Sequence, residues 1–534
     1  MNAPLDMRAA LERQVIWNRL IALVEEQAQV LLKTAFGAIT REAGDLSAGV
    51  YDAKGRMLAQ AVTGTPGHVN TMAAAVAHFL DRFPMESMRR GDVYATNDPW
   101  MGTGHLFDFV MVTPAFLGER LVGFFASTCH VIDIGGKGFT ADASTVYEEG
   151  LFVPHMRIVK EGEPNETFWD ILAANVREPA QVKGDLLSLI SCNAVAAGRL
   201  EAMMREFRLE SLDAIAEYIV TTSRDAMKAA IARLPRGTWR AEMPLDGYEE
   251  PVTLRAALTV DEGGMRIDFA GTSPASRFGI NSPKCYTDAY TVFGVKCAVA
   301  PEVPNNAGSL SVVKVSAPQD CLLNPDRPRA VTARHVIGQM LPELVFGCLE
   351  QPLEGKVPAE GAGSIWILVL AGGPQLPGAK ADATRFNAMS IGIGGMGARP
   401  AKDGLSTTAF PSGVGTIPVE VTEAASPLIF RRREFLPESG GEGRTRGGLG
   451  SVIELASTEA APFSCSFGTF DRRQFPARGR AGGAPGRKGR AYLKSGEELP
   501  GKQTYVIPAG DAVVLELPGG GGYGPPCETD RTPR

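Results

Sequence analysis

Two histidines and two aspartates between Asn97 and Gly136 are the groups in this chain best suited to chemistry. The segment reads NDPWMGTGHLFDFVMVTPAFLGERLVGFFASTCHVIDIGG. His105 and Asp108 stand three apart across a turn that leads into the run FVMVTPAF, and His130 and Asp133 stand three apart where the next run, LVGFFASTC, ends. Six histidines occur in 534 residues, so two in one acidic, glycine-flanked stretch are a concentration. If the runs are the arms of a hairpin turning at Gly118, the start of one lies beside the end of the other. Two imidazoles and one or two carboxylates then converge, a donor set that suits a borderline divalent cation. H-x-x-D is a short pattern, however, and a strand-end histidine or an aspartate before Ile-Gly-Gly also serves as a cap or turn. Spacing alone leaves both readings open.

Other elements must hold such a site. Residues 8–36 have the apolar spacing of a long amphipathic helix. GVYDAKGRMLAQ alternates like a strand pair, with 52–55 as its turn. TMAAAVAHFLDRF (71–83) reads as a helix with His78 on or near its apolar face, a structural residue. His68, in GTPGHVN, is expected in the loop before that helix, where it lines the site or touches the helix start. Residues 164–234 read as mostly helical, ending at Pro235, and 238–271 as β-rich. A loop entering a helix follows at 279–299, behind Ser282 and Pro283. Residues 330–350 read as one more helix, in which His335, beside Arg334, is structural. The last third is rich in glycine and proline with short strands, and YVIPAGDAVVLELPGG reads as a hairpin before a glycine-rich tail. The expected fold is mixed α/β (α+β) and multidomain. It comprises an N-terminal metal-site region (1–235) with a helical second half, a middle α/β domain (236–380) and a glycine-rich region (381–534).

Composition narrows the function. Hydrophobic residues make up 44% and charged residues 21% of the chain, an ordinary globular balance. A net charge of −6 without a long basic run argues against nucleic acid as the main partner. The basic stretch RRQFPARGRAGGAPGRKGR (472–490) reads as a loop, facing another subunit if anything. Eight cysteines without C-x-x-C spacing favour a reduced, cytoplasmic setting. The longest apolar runs, such as SIWILVLAGG, are strand-sized, and the N-terminus lacks a signal-peptide core. Gly392-x-Gly394-x-x-Gly397 formally matches a dinucleotide fingerprint, but no βαβ unit surrounds it, and a tight backbone passage is the better reading. No P-loop and no G-x-S-x-G elbow is present, so Ser439 reads as a loop residue. Cys129 reads as packing rather than a nucleophile.

Longer stretches carry a resemblance. REAGDLSAGVYDAKGRMLAQ (41–60), GDVYATNDPW (91–100), GHLFD (104–108), HVIDIGG (130–136), YEEGLFVPHMRI (147–158) and NVREPAQVKGDL (175–186) are among them. DFAGTSP (268–274), GGMGARPAKDG (394–404), ESGGEGRTRGGLG (438–450) and PGGGGYGPP (518–526) continue the series. In this order the chain resembles the hydantoinase B/oxoprolinase family, B-type subunits of ATP-dependent hydantoinases, lactamases and ketone carboxylases. The resemblance implies a divalent metal (zinc, manganese or iron) ligated by His105, Asp108 and His130, with Asp45 as a fourth ligand and Asp133 either behind the ligands or facing the substrate. It also implies an A-type partner subunit that binds ATP with magnesium, and hence a hetero-oligomer. Two departures bear on the pocket: GTGHLFD stands where the family has GGTHLPD, and Val-Pro-His155 where it has Ile-Pro-Pro.

The implied reaction is hydrolysis of a cyclic amide, a hydantoin, 5-oxoproline or lactam. The partner phosphorylates the amide oxygen, the metal activates water, and Asp45 or Asp133 acts as general base or fixes an imidazole. Arg177, Asp185 and Arg399 lie in family-like motifs, where they bind phosphate, shape the pocket or form structural ion pairs. A ketone carboxylase subunit and a non-catalytic assembly subunit are the alternatives.

Overall fold

The computed structural model describes residues 3–63 and 65–526. Among the described residues, nineteen strands form four sheets. In the first sheet, β1 (Leu46–Asp52), β2 (Met57–Gln60), β3 (Val93–Thr96), β4 (Asp108–Leu117), β5 (Arg120–His130), β6 (Met156–Lys160) and β7 (Glu163–Pro164) lie in the order β2-β1-β5-β4-β3-β6-β7. All its pairings are antiparallel. Alternation along β4 and β5 is apolar on both faces, because both faces are covered. Phe109, Met111 and Phe125 join the core beneath the helices Ala3–Thr34 and Pro179–Glu206, while Val110, Val112, Phe124 and Ala126 meet the helix Pro66–Arg82. The first helix turns Ile16, Leu20, Leu23, Val24 and Leu31 inward, the spacing of one helical face. The Gln27 amide ties it across the sheet, donating to Asn193 at 2.7 Å and to the Ala126 carbonyl at 3.2 Å.

By length and composition alone the helix Pro179–Glu206 could cross a membrane, an apolar stretch longer than the strand-sized runs expected from the sequence. Its Val182, Leu186, Leu189, Cys192 and Leu200 are spent on the sheet instead. Pro66 opens the helix Pro66–Arg82 at its first turn, a position where a missing N–H is harmless. His68 therefore lies inside this helix and not in the loop before it.

The second sheet, β8 (Gly237–Leu245), β9 (Val252–Asp261), β10 (Gly264–Asp268) and β11 (Val313–Ser316), packs on the helices Lys284–Val299 and Leu341–Leu349. The expected helix over 330–350 is shorter than its apolar pattern suggests. Residues 330–334 form a loop, with helical turns only at His335–Gly338 and Leu341–Leu349.

The remaining strands are β12 (Ile365–Gly372), β13 (Phe386–Ile393), β14 (Leu428–Phe435), β15 (Ser451–Ser457), β16 (Phe463–Ser466), β17 (Arg490–Leu493), β18 (Thr504–Ile507) and β19 (Ala512–Glu516). They form the sheets β13-β12-β16-β18 and β14-β15-β19-β17, and Ile365, Met389, Ile391 and Ile393 extend the core of the first sheet. The YVIPAGDAVVLELPGG stretch is not a hairpin: β18 pairs with β16, whereas β19 pairs with β15 and β17. Residues 472–489 are a largely irregular stretch, as expected, but Arg472 and Arg480 within it are buried.

Glycines weave the last third together. The amides of Gly519, Gly520, Gly521 and Gly522 donate to the carbonyls of Arg487, Gly448, Glu360 and Ala484. Gly519 and Gly522, three apart, reach the same neighbouring segment, which is the three-residue repeat of an extended polyproline II-type thread. Segments 395–398, 441–448 and 480–487 surround this thread and bond to it. A Cβ on Gly519 would sit 1.8 Å from the Ser439 carbonyl oxygen, on Gly520 2.0 Å from that of Met396, and on Gly397 1.9 Å from that of Ala359. The 392–397 stretch is thus a tight backbone passage.

Candidate metal centre

The β4–β5 hairpin brings the sequence-spaced residues together. Its closed end pairs Leu117 with Arg120 around Gly118, whose φ of +58° suits glycine, and its open end pairs Asp108 with His130. His105 lies in the turn before β4, behind Gly104. There φ is +101°, and a Cβ would come 2.5 Å from the Arg334 Cδ. Only glycine leaves room for the arginine to reach past.

Asp108 is the hub. Its Oδ1 lies 2.8 Å from His105 Nε2 and 3.2 Å from His130 Nδ1. Its Oδ2 lies 2.8 Å from His68 Nε2 and accepts from Arg334 Nη2 at 2.6 Å. All five side chains are buried. Ligating atoms of His105, Asp108 and His130 lie within 4.8 Å of one another. Burial opposes charge on Asp108, but the groups packed against it, the Arg334 guanidinium among them, hold its carboxyl well below the usual range. Burial, then the Arg334 charge, lowers His105 to about 4, so its imidazole is neutral at physiological pH. Burial opposes a charge on His68 too, yet Asp108 and Asp45 outweigh it and raise its pKa.

The donor chemistry fits a cation. His105 Nδ1 lies 2.9 Å from the Thr332 carbonyl, an acceptor only, so the neutral ring carries its proton there and leaves Nε2 bare. A bare Nε2 facing a carboxylate oxygen at 2.8 Å puts two lone pairs against each other, an arrangement relieved by a cation between them. His130 Nε2, His68 Nδ1 and His335 Nε2 are likewise buried without a hydrogen-bond partner. They line a cavity of about 50 Å³ together with His105, Asp45, Thr65, Tyr286 and Gln339. Phe139 and Met389 separate it from a larger cavity of about 440 Å³ that holds Asp133, Lys137, Asp142 and Arg177.

The other residues picked out in the sequence fall in several places. Asp45 stands on the wall of the small cavity; its Oδ1 accepts from Thr65 Oγ1 at 2.7 Å and lies 3.4 Å from His68 Nδ1. Asp133 faces the larger cavity, held by the Arg177 backbone and guanidinium. Asp185 accepts from the Phe36 and Gly37 amides at 2.8 and 2.9 Å, and Arg399 is spent on the Asp403 carbonyl. Cys129 is fully buried, which pushes its thiol pKa up, and Ser439 bridges Leu436 and Gly450. His78 and His155 lie together elsewhere, their rings 6.3 Å apart, with His155 against Phe79.

The sequence reading takes His335 as structural, gives Arg334 and Thr332 no role in the site and leaves His68 undecided. One signal was present: an arginine in the apolar run VTARHVIGQMLPELVF must be exposed or find a buried carboxylate. Arg334 finds Asp108, and its guanidinium lies 4.1 Å over the Tyr286 ring.

Comparison with known proteins gives a consistent picture. The sequence profile of the family described as Hydantoinase B/oxoprolinase matches residues 10–526. The caprolactamase subunit beta of Pseudomonas jessenii is 26% identical over 533 residues, covering 96% of this chain and 90% of that one. The crystal structure of ATP-dependent caprolactamase from Pseudomonas jessenii superposes with a TM-score of 0.87 at 24% identity, over 97% of this chain and 91% of that one. A nucleotide-free acetone carboxylase structure superposes with a TM-score of 0.85 at 20% identity, over 98% and 77%. These two likenesses speak to the mixed α/β, multidomain fold.

Proposed function

Because the chain belongs to the hydantoinase B/oxoprolinase family, we propose that it is the B-type subunit of an ATP-dependent cyclic-amide hydrolase. Its substrate on this reading is a hydantoin, 5-oxoproline or lactam. An A-type subunit holding ATP and magnesium activates the amide by phosphorylation, and the pair works as a hetero-oligomer in the cytoplasm. The supporting observation is the buried set of His105, Asp108 and His130, with unpartnered nitrogens turned into one small cavity.

In this proposal His105, Asp108 and His130 hold a divalent cation (zinc, manganese or iron), with Asp45 as fourth ligand from the cavity wall. Bound there, the cation supplies a lowered pKa for water and a polarising contact for the substrate oxygen. The chain's own residues do the rest. Thr332 holds His105 in the tautomer that leaves Nε2 free. Arg334 balances the Asp108 charge, which burial would otherwise disfavour. His68, between Asp45 and Asp108, holds the Asp45 carboxylate in place, and Asp45 takes the proton from the attacking water. Phe139 and its neighbours exclude bulk water. Asp133, through Arg177, holds the wall of the larger cavity, whose volume of about 440 Å³ suits a small ring substrate.

The fold likeness to acetone carboxylase favours one second reading, a ketone carboxylase subunit. Co-expression with the A-type partner, followed by ADP release with oxoproline, hydantoins, caprolactam, or acetone plus bicarbonate, separates the two. His105→Ala is expected to lose bound metal and to lower turnover by at least about 100-fold. Unchanged metal content and turnover in that variant would refute the site, and a non-catalytic assembly subunit would then be the remaining reading.

A further inference from the structure

The Tyr-Glu-Glu-Gly stretch at 147–150 contains two adjacent glutamates with opposite surroundings. Glu148 closes a capping box with Thr145 and pairs with Lys137 at the surface. Glu149 is fully buried and points the other way, its Oε1 accepting the backbone N–H groups of Val331 at 2.6 Å and Thr332 at 2.7 Å.

Those two amides belong to the loop that serves the metal centre. Thr332 offers its carbonyl to His105 Nδ1 at 2.9 Å, and two residues later Arg334 reaches Asp108 at 2.6 Å. A peptide unit is a rigid plane, so two planes meet at the Thr332 Cα. The plane after it, which carries the carbonyl, is tied by the Ala333 N–H to the Gly279 carbonyl at 2.7 Å. The plane before it is tied by Glu149. With both planes pinned, neither backbone torsion of Thr332 can turn, and its carbonyl has one direction.

We propose that Glu149 is a positioning residue for the metal centre: through Thr332 it fixes which nitrogen of His105 faces the cavity, and thereby sets the affinity for a divalent cation. The proposal rests on the reading of His105 as a ligand. What matters is where Oε1 stands and not its charge. Burial outweighs the two amide bonds and pushes the Glu149 carboxyl up to about 7. A proton on Oε2, which has no partner, leaves Oε1 free to accept both amides.

Glutamine keeps an acceptor oxygen at this place, whereas aspartate keeps the charge but withdraws the oxygen by about 1.5 Å, one C–C bond. The wild-type chain of 534 residues, E149Q and E149D are titrated with zinc alone against a chromophoric chelator, and thermal unfolding of each metal-free protein is followed in parallel. E149Q is expected within about 3-fold of wild-type affinity, and E149D weakened about 10- to 100-fold, the usual range for residues that orient ligands. E149D at wild-type affinity, even with a lower Tm, would reduce Glu149 to a fold clamp and overturn the proposal. E149Q weakened as much as E149D would make charge the cause and overturn it equally. If E149D does not fold, E149Q alone decides, by retention within 3-fold or loss of 10-fold or more. Wild-type protein that takes up no zinc would remove the ligand reading itself, and this proposal with it.

Discussion

The histidine pocket and the glycine weave are both buried and polar, and they are made from opposite materials. In the pocket, side chains from four separated stretches reach Asp108: His68, His105, His130 and Arg334. In the weave, side chains are missing so that backbone can meet backbone, and the amides of 519–522 go to the carbonyls of Arg487, Gly448, Glu360 and Ala484. The pocket leaves nitrogens unpaired, whereas the thread leaves none of those four amides unpaired. A region that binds something can spare a side chain and keep its frame. A region whose frame is its own backbone cannot accept even one extra methyl group.

The largest expected effect breaks the weave. Gly520→Ala places a Cβ 2.0 Å from the Met396 carbonyl oxygen and 2.8 Å from the Gly397 amide nitrogen, both backbone atoms that cannot swing away. It is expected to cost more than about 4 kcal/mol, read as loss of soluble folded protein or a collapse in Tm. Folding with a Tm within a few degrees of wild type would show that the weave gives way like any loop. Next comes the hub of the pocket. Asp108→Asn leaves the buried Arg334 guanidinium without its carboxylate, at a cost of about 3–5 kcal/mol, and is expected to abolish metal uptake while the chain still folds. An Asp108→Asn protein as badly folded as the glycine variant would erase the contrast.

The smallest effect tests a buried carboxyl at the foot of the weave. Glu343 accepts from the Gly361 amide at 2.9 Å, and burial pushes it up to about 7 from 4.5. The folded state thus holds a proton between pH 4.5 and 7 that the unfolded chain releases. Stability from this group is complete below 4.5 and drains away as pH rises through 7. Glu343→Gln is expected to remove that slope. It should match wild type in denaturant unfolding at pH 4.5 and exceed it by up to about 3 kcal/mol at pH 8. Parallel curves for the two proteins across this range would refute the assignment.

Much of the pocket was readable in the chain because its central pieces are local. A turn at Gly118 and two β-like runs suffice to bring Asp108 to His130, and the register bears that out. Arg334 was not readable, since it meets Asp108 across 226 positions and no periodicity spans such a gap. His68 was placed one element too early, because Pro66 begins a helix where a loop was expected. Asp133 shares the spacing of Asp108 but leaves its strand on the other side, towards Arg177. Residues 504–516 looked like a hairpin because turn chemistry shows that two strands are joined, not which sheets they enter. The weave was visible only as composition. Glycine's reason for being there is the neighbour it must clear, and that neighbour lies far away in the chain.

That same thread has a consequence for biosynthesis. Residues 518–524 leave the ribosome after the segments they tie together, since translation runs from the amino end. Segments 395–398, 441–448 and 480–487 therefore emerge with partners not yet made, and water serves their amides in the interval. Early release of a chain cut before residue 518 would leave three glycine-rich ribbons open to chaperones and proteases, whatever the state of the pocket already formed upstream.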